Sequence, residues 1–164
     1  MEGKEIGKAF IIGLVVFIGL NVLFNILYLA NIDALELYFE YIEESPAGIA
    51  LLLFGSVMSM LNLPGLGLNY MFTFDTEMVI LGMSFLIPGI IAALVVGIVA
   101  KEKYERFIAW MIIALVAFMV ILFAGIVDDT LYMGDFEDFL KVLLSVLLIN
   151  IAFDGFFAII LPEK

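Results

Sequence analysis

The sequence predicts an all-α integral membrane protein with four transmembrane helices, one re-entrant half-helix and an acidic amphipathic surface helix. Three observations carry this. The 164 residues are 65% hydrophobic and only 15% charged, with a mean hydropathy of +1.22. Four apolar runs, 9–30, 78–100, 108–127 and 139–161, each hold 20 to 23 residues. A helix needs about 20 such residues to cross roughly 30 Å of hydrocarbon. A fifth apolar segment, 46–72, is interrupted by Pro64, Gly65 and Gly67 and is a poor continuous helix.

The whole chain reads as one polytopic membrane domain. The first run is too long for a signal-peptide core and lacks a small-residue cleavage pattern, so it is expected to be a retained span. Segment 31–45 carries Asp33, Glu36, Glu40, Glu43 and Glu44 at helical spacing, with Leu35, Tyr38, Phe39 and Ile42 on the other side. That pattern predicts a helix lying on the membrane surface, with Tyr38 and Tyr41 at headgroup level.

Ser45-Pro46 is a helix start, a capping hydroxyl followed by proline at the first helical position. The helix it opens ends near Leu61, before Asn62 and Pro64. Sixteen residues make about 24 Å, short of the hydrocarbon thickness. Orientation follows Lys and Arg in short loops. If 46–72 enters and leaves on the outer side, Lys4, Lys8, Lys101, Lys103, Arg106 and Lys164 fall inside and only Lys141 outside. Both termini are then cytoplasmic, in the cell membrane. The alternative, five transmembrane helices, divides the seven basic residues four to three. The re-entrant arrangement also collects the acids of 31–45, 75–77 and 128–138 on the outer side.

Composition excludes several chemistries. The chain has no Cys and no His, which removes disulfides, thiolate or imidazole metal sites and Ser-His or Cys-His catalysis. The net charge of −11 argues against a nucleic-acid partner. Asp135 and Asp138 read as a capping pair for the last helix. The segment 128–138 lacks the spacing of a calcium loop. No metal, no cofactor and no enzymatic activity are expected.

The candidate functional residues are polar groups inside apolar runs. Asp154 lies fifteen residues into the last run, roughly 22 Å from its outer edge and about 12 Å from the inner one. Asp is too short to reach the interface, and no Lys or Arg lies deep in any run. An intramembrane acid is a functional-site hypothesis in its own right. Asn150, four residues earlier, shares its helix face, as Asn21 and Asn25 share one in the first run. With Asn62, at the end of the half-helix, they are expected to line an ion or substrate path.

Gly89, Ala93 and Gly97 form a small-residue stripe, as do Ala9 and Gly13, suited to close helix contact within one subunit or between two. Pro88 is expected to kink its helix, with Ser84 helping to satisfy the freed backbone. Trp110 is expected at a membrane boundary, and the cations of 101–107 at lipid headgroups.

Two functions fit these observations. One is a small transport or channel protein handling a cation or proton at Asp154, working as a homo-oligomer in the lipid bilayer. The alternative is a non-catalytic accessory or assembly subunit bound to other membrane subunits.

Overall fold

The computed structural model describes residues 2–59, 75–128 and 135–162. These form six helices and, among the described residues, no strand: α1 (Glu2–Asn31), α2 (Leu35–Glu44), α3 (Pro46–Ser59), α4 (Thr76–Val99), α5 (Lys103–Val127) and α6 (Phe136–Ile159). Four of them, α1, α4, α5 and α6, are long and apolar enough to cross a membrane. The four expected spans fall on these four helices, and each helix starts a few residues before the apolar run that predicts it.

Local chemistry sets the helix ends. Asp75 caps α4 by accepting bonds from the Glu77 and Met78 N–H groups. Asp135 caps α6 by accepting from Asp138 N–H at 2.9 Å, the pairing the sequence predicts. Glu102 and Glu105 close a capping box on α5. At the start of α3 the Ser45 hydroxyl accepts from Ala47 N–H at 3.1 Å. These groups satisfy helix-end donors that would otherwise lack partners.

The end of α1 is a left-handed cap. Asp33 has φ 54°, Asp33 N–H donates to Ala30 O and Ala34 N–H to Leu29 O. This is the Schellman pattern, with aspartate in the position glycine usually takes. The sharp exit lets α2 turn back over α3, where Tyr38 donates its hydroxyl to Gly48 O at 2.8 Å.

Small residues set the helix packing. Gly13 of α1 lies against Val96 and Ala92 of α4. Near the other end of α1, Asn25 and Tyr28 share a cleft with Leu81 and Ser84. The pairing runs in opposite senses along the two chains, so α1 and α4 are antiparallel. Gly89 packs on Asp154 and Gly97 on Ala158, which makes α4 and α6 parallel. Gly125 against Phe139 and Gly155 against Phe107 make α5 and α6 antiparallel. The four long helices form a ring in the order α1, α4, α6, α5, and α3 touches all four.

Helix directions then sort the charge. Lys4, Lys8, Lys101, Lys103 and Arg106 lie at one end of the bundle, with Glu5, Glu102 and Glu105 among them. The acids of α2, the caps Asp75 and Asp135, Asp128 and Lys141 lie at the other. Large apolar side chains such as Val15, Phe123 and Leu148 face outward, as a lipid-facing surface requires. The interior is built from Ala92, Ala93, Val96, Ala109, Ala117 and Ala158 around Phe17, Phe54 and Trp110. Such an interior gains van der Waals contact by close backbone approach rather than by excluding water.

Candidate functional site

Helix α6 carries Asp154 on its inward face, together with Leu143, Val146, Leu147, Asn150, Gly155 and Ala158. Asp154 is 0% exposed, and among the described residues neither carboxyl oxygen has a hydrogen-bond partner. Its contact is the backbone of Gly89 in α4. A Cβ built on Gly89 would lie 2.5 Å from Oδ2, 2.9 Å from Cγ and 3.0 Å from Oδ1. Glycine is therefore the residue that leaves room for this carboxyl.

An Asp at the centre of a membrane helix costs about 2.5–3.5 kcal/mol on insertion scales. An isolated charge sealed from all donors costs far more. A carboxyl in this setting persists as the neutral acid or with a cation at its oxygens.

The other expected path residues divide into two groups. Asn150 is buried one turn before Asp154, but its amide nitrogen donates to Val146 O at 3.1 Å, within α6. The Asn150 carbonyl accepts the Trp110 indole N–H at 3.1 Å. Asn21 and Asn25 turn to α3 instead. Asn21 Oδ1 accepts from Ser56 N–H at 2.9 Å, and Asn25 Nδ2 donates to Leu52 O at 3.2 Å and Leu51 O at 3.4 Å. The two asparagines thus engage both ends of one rung of α3, Ser56 N–H and Leu52 C=O. They join α1 to α3 and make no bond to Asp154. Asn62 lies outside the described residues.

A cleft of ≈ 370 Å³ opens between α1, α2, α3 and α4, lined by Asn25, Tyr28, Tyr38, Leu51, Ser84 and Phe85. It approaches α4 on a different side from Asp154. Ser84 and Gly89 are five residues apart, which at about 100° per residue sets them roughly 140° apart around the helix. The body of α4 therefore stands between the cleft and the carboxyl. Pro88, inside α4, has no N–H to give the Ser84 carbonyl. The Ser84 hydroxyl does not bond to that freed carbonyl and donates to Leu81 O at 2.7 Å.

Several expectations need correction. Trp110 is a core residue, 1% exposed, edge-on to Phe17 with ring centroids 6.1 Å apart. Its N–H is satisfied by Asn150 O, so the indole needs no headgroup. On α2, Phe39 faces outward and is 51% exposed, while Tyr41 takes the inward place and donates to Asp128. Ser45 also donates to Asp128, which ties the start of α3 to the end of α5. Tyr38 and Tyr41 thus bond to protein. Burial, followed by the neighbouring Tyr41, pushes the Tyr38 phenol up to about 12.

Arg106 is the main residue that sequence reasoning misplaced. It is 0% exposed and meets protein carbonyls where lipid headgroups were expected. Nε donates to Ala100 O at 3.1 Å, Nη1 to Leu161 O at 2.7 Å, and Nη2 to Lys101 O at 2.9 Å and Pro162 O at 3.1 Å. One guanidinium thus satisfies carbonyls at the ends of both α4 and α6, where their helix dipoles favour a cation. The available signal was identity: the chain has one arginine among seven basic residues, and only arginine has a fork wide enough for four acceptors.

Among the described residues no group of three or more acids is placed to hold a metal ion. Among the described residues, the fold and site together define a small helical membrane protein with four helices long and apolar enough to cross a membrane and a buried acid, Asp154, whose oxygens have no hydrogen-bond partner. Comparison of the chain with family models, with curated proteins and with solved structures gave no match.

Proposed function

We propose that this chain is a small transport or channel protein that handles a cation or proton at Asp154 in the cell membrane. The observation that carries the reading is the carboxyl itself: fully buried and, among the described residues, without a donor at either oxygen, in the middle of an apolar bundle. Acids in such positions are expensive and mark ion or proton pathways.

The topology that goes with this function is four spans plus a re-entrant segment. The antiparallel packing of α1 and α4 supports it, because both ends of 32–75 then lie at the same end of the bundle. A complete fifth span would make α1 and α4 parallel. The contact of α3 with all four long helices, and its anchoring by Asn21 and Asn25, fit a half-helix held inside the bundle. Collection of Lys4, Lys8, Lys101, Lys103 and Arg106 at one end supports cytoplasmic termini. The acidic helix α2 then lies on the outer surface. Four spans are few to enclose a path, so the working form is a homo-oligomer.

The accessory-subunit reading takes the acidic outer surface and the small-residue stripes as contact sites. Gly13, Gly89 and Gly97 pack against other helices of the same chain, which leaves that reading the acidic surface.

The test is reconstitution into vesicles holding a pH-sensitive dye. Applied proton or alkali-cation gradients should dissipate with the wild-type protein and persist with Asp154→Asn. Equal dissipation by the two proteins would refute the reading. Topology is checked separately with single cysteines at Lys8, Asn69, Lys103 and Glu163, using an impermeant thiol reagent on intact cells. Labelling at Asn69 alone is expected; labelling that puts Lys8 and Glu163 on opposite sides would establish a fifth span.

A further inference from the structure

Resting on the proposed role of Asp154, we infer that the species bound there is a proton and not a metal cation. The two differ in what they ask of a site. A metal ion needs a shell of oxygens; calcium, for example, takes about six to eight at roughly 2.3–2.6 Å. A proton needs one oxygen and no additional volume.

The Asp154 environment meets only the second requirement. Its two oxygens are fully enclosed and, among the described residues, have no hydrogen-bond partner. On the α4 side, the space a single Cβ would fill at Gly89 is already within 2.5 Å of Oδ2. A cation could not enter there without separating α4 from α6.

Among the described residues, the elements packed on α6 bring no second free carboxylate to Asp154. The buried face of α4 carries Ser84 and otherwise Gly82, Leu86, Pro88, Gly89, Ala92, Ala93, Val96 and Gly97, none of them ionisable. Helix α5 brings Trp110, whose N–H is committed to Asn150 O. Its two buried charged residues, Glu105 and Arg106, are committed elsewhere. Glu105 Oε2 accepts from Glu102 N–H. Arg106 bonds at Leu161 and Pro162, seven and eight residues beyond Asp154, or roughly 10–12 Å along the helix. Helix α3 has no charged residue. On α6 itself, Asn150 points its amide nitrogen at Val146 O. Loading then forms one O–H bond at a carboxylate oxygen as a hydronium ion gives up that proton and becomes water, and unloading returns the proton to water, with no change of oxidation state.

Infrared spectroscopy of the purified protein in lipid vesicles tests this directly. A protonated carboxyl has a carbonyl stretch well separated from carboxylate and amide bands. The expected result is one such band at neutral pH, absent in Asp154→Asn and unchanged when sodium, potassium or calcium is added at constant pH. Loss of the band on adding any of these ions to the wild-type protein would overturn the inference, since the metal then displaces the proton. So would absence of the band at neutral pH. The cation addition needs no variant, so it decides the question even if Asp154→Asn fails to fold. A metal-sensitive band leaves the transport reading intact, whereas a metal-insensitive band with no vesicle flux leaves the proton site and removes transport.

Discussion

Replacing Gly89 by alanine tests whether the Asp154 carboxyl is held against the α4 backbone. The new Cβ would sit 2.5 Å from Oδ2, and ordinary contact begins at 3.4 Å, so the carboxyl must retreat by about 0.9 Å. Asp154 is 0% exposed, so the retreat has to be taken up inside the packed bundle and not towards solvent. Overpacking of this kind costs about 1–3 kcal/mol. Alanine in a helix interior regains about 1 kcal/mol over glycine. The net expectation for Gly89→Ala alone is a loss of about 0–2 kcal/mol. In an Asp154→Ala background the atoms that clash are gone, and the same substitution should be neutral or stabilising by up to about 1 kcal/mol. The double-mutant cycle should therefore give a coupling of about 1–3 kcal/mol, within the range for residues in contact. Unfolding of the purified protein in mild detergent can be followed by fluorescence of Trp110, the only tryptophan. Its indole N–H sits on Asn150 O, one turn from Asp154, and reports α5–α6 packing. Additivity within about 0.3–0.5 kcal/mol would refute the placement of the carboxyl against Gly89.

Two further predictions address the ends of the bundle. Arg106→Ala removes four charge-assisted bonds, each worth about 1.5–3 kcal/mol but not additive, so a total loss of about 3–5 kcal/mol is expected in chemical unfolding. Arg106→Lys should recover less than half, because a compact ammonium cannot span both helix ends; full recovery would show that charge alone matters. At the other end, the Tyr38 phenol is neutral in both folded and unfolded chains below its ordinary value of 10.0, so its contribution is fully present there. As pH rises from 10.0 towards about 12, the unfolded chain ionises first and that stability is lost. Tyr38→Phe should flatten this alkaline decline in thermal midpoint, and an unchanged decline would refute the assignment.

What the sequence determined by itself was whatever depends on nearest neighbours or on the choice of solvent. The long helices were legible because transfer into hydrocarbon is summed along about twenty consecutive residues, and because a backbone in lipid has to satisfy itself. The helix starts at Ser45 and Asp135 were legible because a cap acts across two or three residues. Asp154 stood out because nothing else in the apolar runs is ionisable at that depth.

Only the tertiary structure decided which side of each helix faces inward. In a soluble helix, polarity marks the outer face, but these long helices are apolar nearly all round and carry no such mark. Selection of the inner face falls to shape, to where Gly13, Gly89 and Gly97 allow backbones to approach. Trp110, Asn21 and Asn25 were therefore found in the right helices while their partners were not legible. Arg106 shows the same limit over a longer reach: its acceptors at Leu161 and Pro162 lie 55 and 56 residues away. Those carbonyls come within range of the guanidinium only after α4, α5 and α6 have packed, and no local pattern in the sequence encodes that meeting.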